Sequence, residues 1–309
     1  MSTLATRWHR FWFAPVPPWP LGLCRAWFFA SFYALYLCRW DQRVYALFPE
    51  GFFQPRSFFA WLSLSPVGEA TFAWLVTGFE CAVVLAALGL FTRLATAASF
   101  VLGLYVIGYQ FNYGYLHWAH AVVPIVMGVL ALAPCGDALS VDAWRRRRAA
   151  KARPHASGQY GWPLQLVRLI FVSIFFAAGL SKLRTAGLAW VTSDTLRNYL
   201  IENQYIFQET AAASWGRPVA AWLVLHPSLC RLLAGLSLTL ELSAPAALFW
   251  HRARRFLIPA LFLFQVGNAL LLYQDFFFAY LGVYAFWVPW QHMRHVAING
   301  LKPVVSTPP

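Results

Sequence analysis

Lys182 closes a long apolar run, GWPLQLVRLIFVSIFFAAGLSK at 161–182, in which Arg168 is the single earlier charge. An amine at the edge of hydrocarbon has two uses: it snorkels to anchor a helix, or, unprotonated, it removes a proton from a substrate. The second use needs a neutral nitrogen, a state that desolvation and a neighbouring cation such as Arg184 favour. His117 and His120 offer hydrogen-bonding partners for developing charge, and their spacing of three puts them on one helix face. As a metal motif this pair falls short, because zinc takes three or four ligands and no companion Cys or Glu stands at a suitable spacing. No metal is expected. Interfacial histidines and a snorkelling lysine are the plainer reading of the same residues.

Four further charges, Arg25, Glu80, Arg168 and Glu241, lie within apolar segments. An ionised group at the bilayer centre costs about 2.5 to 3.5 kcal/mol on insertion scales, so these side chains are expected to face inward and to be paired. The expected pair is Arg168 with Glu80 or Glu241, serving either to hold helices together or to support the site. Gln265 and Asn268 add polar groups to a later segment.

The elements that must position these groups follow from composition. Of 309 residues 60% are hydrophobic and 11% charged, against about 25% charged in soluble domains, which excludes a soluble enzyme. Sixteen Trp and thirteen Tyr suit a protein with two membrane interfaces. Apolar segments at 20–38, 68–90, 94–111, 115–134, 161–180, 229–250, 256–273 and 276–290 predict an all-α, polytopic membrane bundle of eight helices. Residues 217–226 are either a re-entrant or an interfacial piece. The first segment reads as a retained signal anchor rather than a cleaved signal peptide. This divides the chain into a cytoplasmic segment 1–19, a transmembrane domain 20–290 and a cytoplasmic tail 291–309.

With the N-terminus inside, fourteen basic residues fall on inner segments and eight on longer outer ones, so both termini are expected in the cytoplasm of a multi-pass cell-membrane protein. The net charge of +13 and the run WRRRRAAKAR at 144–153 then mark a cytoplasmic face against anionic lipid rather than nucleic-acid binding. This topology brings His117, His120 and Lys182 to the outer ends of consecutive segments. Of five cysteines, Cys38 and Cys230 lie near the oxidising outer face, where they either bridge or stay free. No Gly-rich phosphate loop or GxSxG nucleophile motif occurs, which argues against nucleotide-driven transport and serine esterase chemistry.

The ordered blocks LGLCRAWFFASF, EATFAWLVTGFECAVVLAALGLFTR, DALSVDA, the spacing Arg168–Gly179–Lys182, ELSAP at 241–245 and FQVGN at 264–268 resemble the horizontally transferred transmembrane domain family. That family is related to the membrane domain of vitamin K-dependent gamma-glutamyl carboxylases, and the resemblance covers most of residues 20–290. It implies that Lys182 corresponds to the base that deprotonates a reduced vitamin K-type quinol, and His120, or less directly His117, to a histidine beside it. Oxygen and carbon dioxide are the implied co-substrates, and a secreted peptide or small acid the implied partner, modified at the outer face. The implied chemistry converts the quinol with oxygen into a strong base that takes a carbon-bound proton from glutamate before carboxylation. Two departures stand out. Gln265 occupies the place of an expected histidine, and the large lumenal domain with which bigger carboxylases recognise a propeptide is not expected here. A non-enzymatic alternative, a membrane maturation or export partner or a small-molecule carrier, uses the same buried charges to bind rather than react.

Overall fold

The computed structural model describes residues 3–114, 118–149, 154–206, 213–273 and 276–290, and among them every regular element is helical. The N-terminal helix α1 (Leu4–Phe13) starts at Thr3, whose hydroxyl accepts the Thr6 N–H at 3.3 Å, and exposes Leu4 and Trp8. Pro18, an N1 proline, opens α2 (Pro18–Phe32), which continues as a π-helical turn over Tyr33–Leu37. The bundle proceeds through α3 (Glu69–Leu88), α4 (Thr92–Tyr109), α5 (Val122–Leu132), the basic α6 (Val141–Arg148) and the long α7 (Gly161–Ala186). It ends with α8 (Thr195–Ile206), α9 (Ala213–Val224), α10 (Pro227–Ser243), α11 (His251–Leu271) and α12 (Phe276–Tyr284).

Four stretches are long and apolar enough to cross a bilayer: Glu69–Leu88, Thr92–Tyr113, Gly158–Ala186 and His251–Leu271. A fifth is added if α9 and α10, bent by 111° between Val224 and Pro227, count as one broken span. The other apolar segments of the sequence fold differently. The first is a 15-residue helix plus its π turn, the fourth spends residues 118–121 on a 3-10 turn before the 11-residue α5, and the last is the 9-residue α12. An apolar window counts hydrophobic turns as well as helix, so it overstates helix length where turns are themselves apolar. Residues 217–226 belong to α9 and its turn, not to a span of their own.

At one end of the bundle, here the basic end, the orphan carbonyls of α3 meet a buried guanidinium. Fully buried Arg25 donates to the carbonyls of Ala86 and Ala87 (2.9 Å) at the end of α3 and of Leu139 (2.5 Å) in the bend before α6, so its partners are backbone oxygens rather than a carboxylate. Gly89 makes room: its φ is +70°, and a Cβ there would stand 2.3 Å from the Ser140 Cβ. Asp142 caps the next helix, accepting from Phe91 N at 3.1 Å and from Thr92 N and Oγ1 at 2.7 Å. Burial opposes ionisation of Asp142, but the Thr92 and Phe91 hydrogen bonds outweigh it and hold the carboxyl below its ordinary range. A depressed folded-state value means the stabilisation is present above the ordinary carboxyl range and lost as pH falls through the depressed value. Asp142→Asn is therefore expected to lower the unfolding temperature at pH 7 and to flatten its decline under acid, read by thermal unfolding in detergent between pH 7 and 3.

The helix α12 sets the heights of the elements that matter next. It packs antiparallel to α7, with Phe171 4.9 Å from Tyr284 and Phe175 6.2 Å from Tyr280 between ring centroids. Against α2 it is also antiparallel: the Cys24 thiol lies 3.5 Å from the Ala285 carbonyl, and a Cβ on Gly282 would sit 3.0 Å from the Phe28 Cα. Tyr36 and Lys182 each stand beyond these contacts by about 10 to 12 Å of helix. Both therefore lie toward the N-terminal end of α12, where Trp40 meets Phe278 at 5.9 Å between ring centroids, at the end of the bundle opposite the basic one.

Candidate functional site

A glycine decides how Lys182 is held. Gly179, one turn earlier on α7, is buried, and a Cβ there would sit 3.1 Å from the Glu241 Cβ and from Leu242. Without that Cβ, α10 approaches closely enough to bring Glu241 onto Lys182. Lys182 Nζ donates to Glu241 Oε1 at 2.5 Å and Oε2 at 2.6 Å, a two-oxygen ion pair in which the carboxylate side chain is 4% exposed and the lysine 21%. Gly179→Val is expected to cost about 1 to 3 kcal/mol of stability by overpacking this contact. Thermal unfolding checks it against Gly267→Val, where a Cβ meets nothing within 4 Å.

The chain then reverses to cover the amine. Gly187 takes φ +58° and ψ −143°, a backbone region open essentially to glycine, and the short helix Ala189–Thr192 folds back. This carries Trp190 over Lys182, with Nζ 5.1 Å from the indole centroid. The Trp190 N–H is buried without a hydrogen-bond partner among the described residues. An amine between a carboxylate and an aromatic face is equipped to exchange a proton beside a flat, apolar ligand.

His120 is 2% exposed and stands in the 3-10 turn before α5, with Nδ1 3.2 Å from the Tyr36 hydroxyl and the two rings edge to face at 5.1 Å. The π-helical turn supplies that hydroxyl, since its extra residue per turn re-aims Tyr36 between Phe32 and Trp40, 5.2 and 5.4 Å away between ring centroids. His117 falls outside the described residues.

The expected pairing of Arg168 with Glu80 or Glu241 is not what forms. Glu241 belongs to Lys182, and Glu80 accepts from Arg43 at 3.2 and 2.9 Å, with Thr77 joining the same guanidinium. Arg168 instead donates Nε to the Phe286 carbonyl at 2.7 Å and Nη1 to Gln165 at 3.0 Å. The reason is height. Arg168 and Lys182 are fourteen residues apart on one helix, about 21 Å, and contact with Gly179 puts Glu241 near the lysine. Gln265 is buried and accepts from the Tyr284 hydroxyl at 3.0 Å; Asn268, half-buried, follows on the same helix. All five cysteines are free, with Cys38 exposed and Cys230 buried, so no bridge joins those two.

Sequence reasoning missed Tyr36, Arg43, Trp190 and the Lys182–Glu241 pair. Gly179 three residues before the lysine was the available signal for a close helix crossing. Nothing local distinguishes Tyr36 from the other aromatics. A cavity of about 420 Å³ lies at the basic end, lined by Thr92, Arg93, Gly136, Asp142 and Arg146 among others, and does not reach Lys182. Its carboxylates are already engaged, Asp142 as a helix cap and Asp137 with Arg146 and Tyr160.

Comparison with curated proteins and with solved structures gives no match to this chain. A family model described as the HTTM domain matches residues 13–290, which takes in Arg25, His120, Lys182 and Glu241 alike, and the chain belongs to that family.

Proposed function

We propose that this chain is a vitamin K-type quinol-dependent, carboxylase-like membrane enzyme whose base is Lys182. The observation that carries the proposal is the Lys182–Glu241 pair, a three-quarters buried amine held on both oxygens of a carboxylate beside an indole. In this reading the chain crosses the cell membrane eight times with both termini cytoplasmic, which the excess of basic residues on inner segments supports. The site then faces the extracytoplasmic side.

The roles divide by chemistry. Lys182 accepts a proton only as the amine, so the proton of its ion pair must first pass to Glu241 or leave; Glu241 is the counter-ion that positions the amine and relays that proton. Trp190 offers a flat apolar face, with a buried indole donor, for an aromatic ligand. His120, oriented by Tyr36, donates a hydrogen bond to negative charge as it develops. A reduced vitamin K-type quinol bound there supplies, with oxygen, the strong base that deprotonates a glutamate-type carbon, and carbon dioxide adds to that carbon. The isoprenoid tail of such a quinol enters from lipid between helices. The substrate is a secreted peptide or small acid.

The alternative is a maturation partner or carrier that binds without reacting, and the closure of both Glu241 oxygens on the amine favours it. Deuterium exchange separates the two. With a reduced isoprenoid naphthoquinone, oxygen and a glutamate-containing peptide in D2O, an enzyme places deuterium at the glutamate γ-carbon when carbon dioxide is withheld. A binding partner leaves that carbon unlabelled.

A further inference from the structure

Two guanidinium groups gather about one indole at the basic end, without an acidic partner among the described residues. Arg168 on α7 and Arg254 on α11 place their guanidinium carbons 5.9 and 5.4 Å from the centroid of one ring, Trp287. Each satisfies part of its donor set on helix-end carbonyls: Arg168 on Phe286, Arg254 on Ala247 at 3.0 Å and Leu248 at 3.3 Å. Arg168 Nη2 and Arg254 Nη1 hold no hydrogen bond among the described residues, and neither side chain has a carboxylate within 4.0 Å there. Trp287 is 5% exposed, and its Nε1–H is buried with no acceptor among the described residues.

Charge and hydrogen bonding agree on what is lacking. Guanidinium and indole groups are donors only, so the uncommitted capacity of this cluster consists of N–H groups and two positive charges. Two like charges beside one ring repel unless an anion lies between them. The Trp287 N–H is a buried donor left unmade, which is costly, and the partly buried guanidinium groups beside it carry the charge, so an acceptor-rich anion is the complementary ligand. The position suits the membrane surface. Arg168 lies about 10 Å from the start of α7, Gln165 beside it donates to the Phe11 carbonyl at 3.2 Å, and Phe11 stacks on Phe249 at 6.1 Å. The amphipathic α1 thus flanks the cluster, as expected at headgroup level.

We infer that Arg168, Arg254 and Trp287 form a binding site for a phosphate-type oxyanion at the basic end of the bundle, separate from the Lys182 site. Lipid headgroup phosphate and free phosphate share this chemistry. The test uses the purified, delipidated full chain in detergent, titrated with phosphatidylglycerol, with phosphatidylcholine and with inorganic phosphate against chloride at equal ionic strength. Retention is read by native mass spectrometry and stabilisation by thermal unfolding. Phosphatidylglycerol is expected to bind the native chain at least tenfold more tightly than phosphatidylcholine. Arg254→Gln and Trp287→Phe should each weaken it at least fivefold, while Arg252→Gln, at an exposed arginine, should not. Trp287→Phe keeps one aromatic ring for the two guanidinium groups but removes the five-membered ring with its N–H, so its unfolding temperature is measured alongside, and it carries the test if the arginine variant fails to fold. Stabilisation by inorganic phosphate, lost in the same variants, identifies a soluble anion as the occupant; stabilisation by the lipid alone identifies a headgroup. No stabilisation of the native chain by either, or binding by Trp287→Phe and Arg254→Gln equal to the native chain, overturns the inference.

Discussion

Glu241→Gln is expected to lower the stability of the folded chain by about 2 to 4 kcal/mol, because it leaves the Lys182 ammonium largely buried without its counter-ion. The figure is set below that for a fully enclosed pair because the lysine keeps 21% of its side-chain surface. A structural salt bridge and a crowded apolar contact would both show such a loss, so the single variant is not the decisive one. The double variant Lys182→Met, Glu241→Gln removes both charges and should recover about 1 to 3 kcal/mol relative to the sum of the singles. Denaturant or thermal unfolding of the four proteins measures the coupling. Additive losses would mean that the two groups do not interact in the folded chain.

Lys182→Arg is expected to reduce quinol turnover by a factor of about 10² to 10⁴, the contribution typical of a positioned general base, while changing stability little. Arginine keeps the positive charge and a fork of donors for both Glu241 oxygens, so the pair and the helix contact survive. It cannot give up its proton at working pH, so any step that needs a neutral amine fails. An anchoring lysine tolerates this substitution and a basic one does not. Comparing turnover with unfolding temperature in the same preparation separates the two roles, since a variant that loses both reports damage to the fold instead.

How much of this was legible beforehand follows from which signals are local. The helical membrane character of the chain and the apolar run ending at Lys182 follow from composition and period, whereas His120, which reads from sequence as a residue at an outer helix end, is buried. Pairing did not. Arg168 and Glu241 look complementary when each is placed by counting inward from an apolar segment, but α10 begins at Pro227 and its contact at Gly179 raises Glu241 toward the lysine. Helix offset is a tertiary property that no window along one segment contains. The π turn at Tyr33–Leu37 is of the same kind, an inserted residue whose effect is to turn Tyr36 toward His120. The 3-10 turn Trp118–Ala121 before α5 reads as helix because hydrophobicity does not distinguish helix from a buried turn.

The central claim is that Lys182 initiates oxidation of a reduced quinol. Its most direct test is transfer of labelled oxygen from ¹⁸O2 into quinone epoxide by the full chain in bilayer nanodiscs, supplied with a reduced isoprenoid naphthoquinone and a glutamate-containing peptide. The account predicts ¹⁸O-labelled epoxide from the native chain and none above background from Lys182→Arg at equal folded protein. Absence of epoxide from the native chain, or equal labelling by the arginine variant, would contradict it.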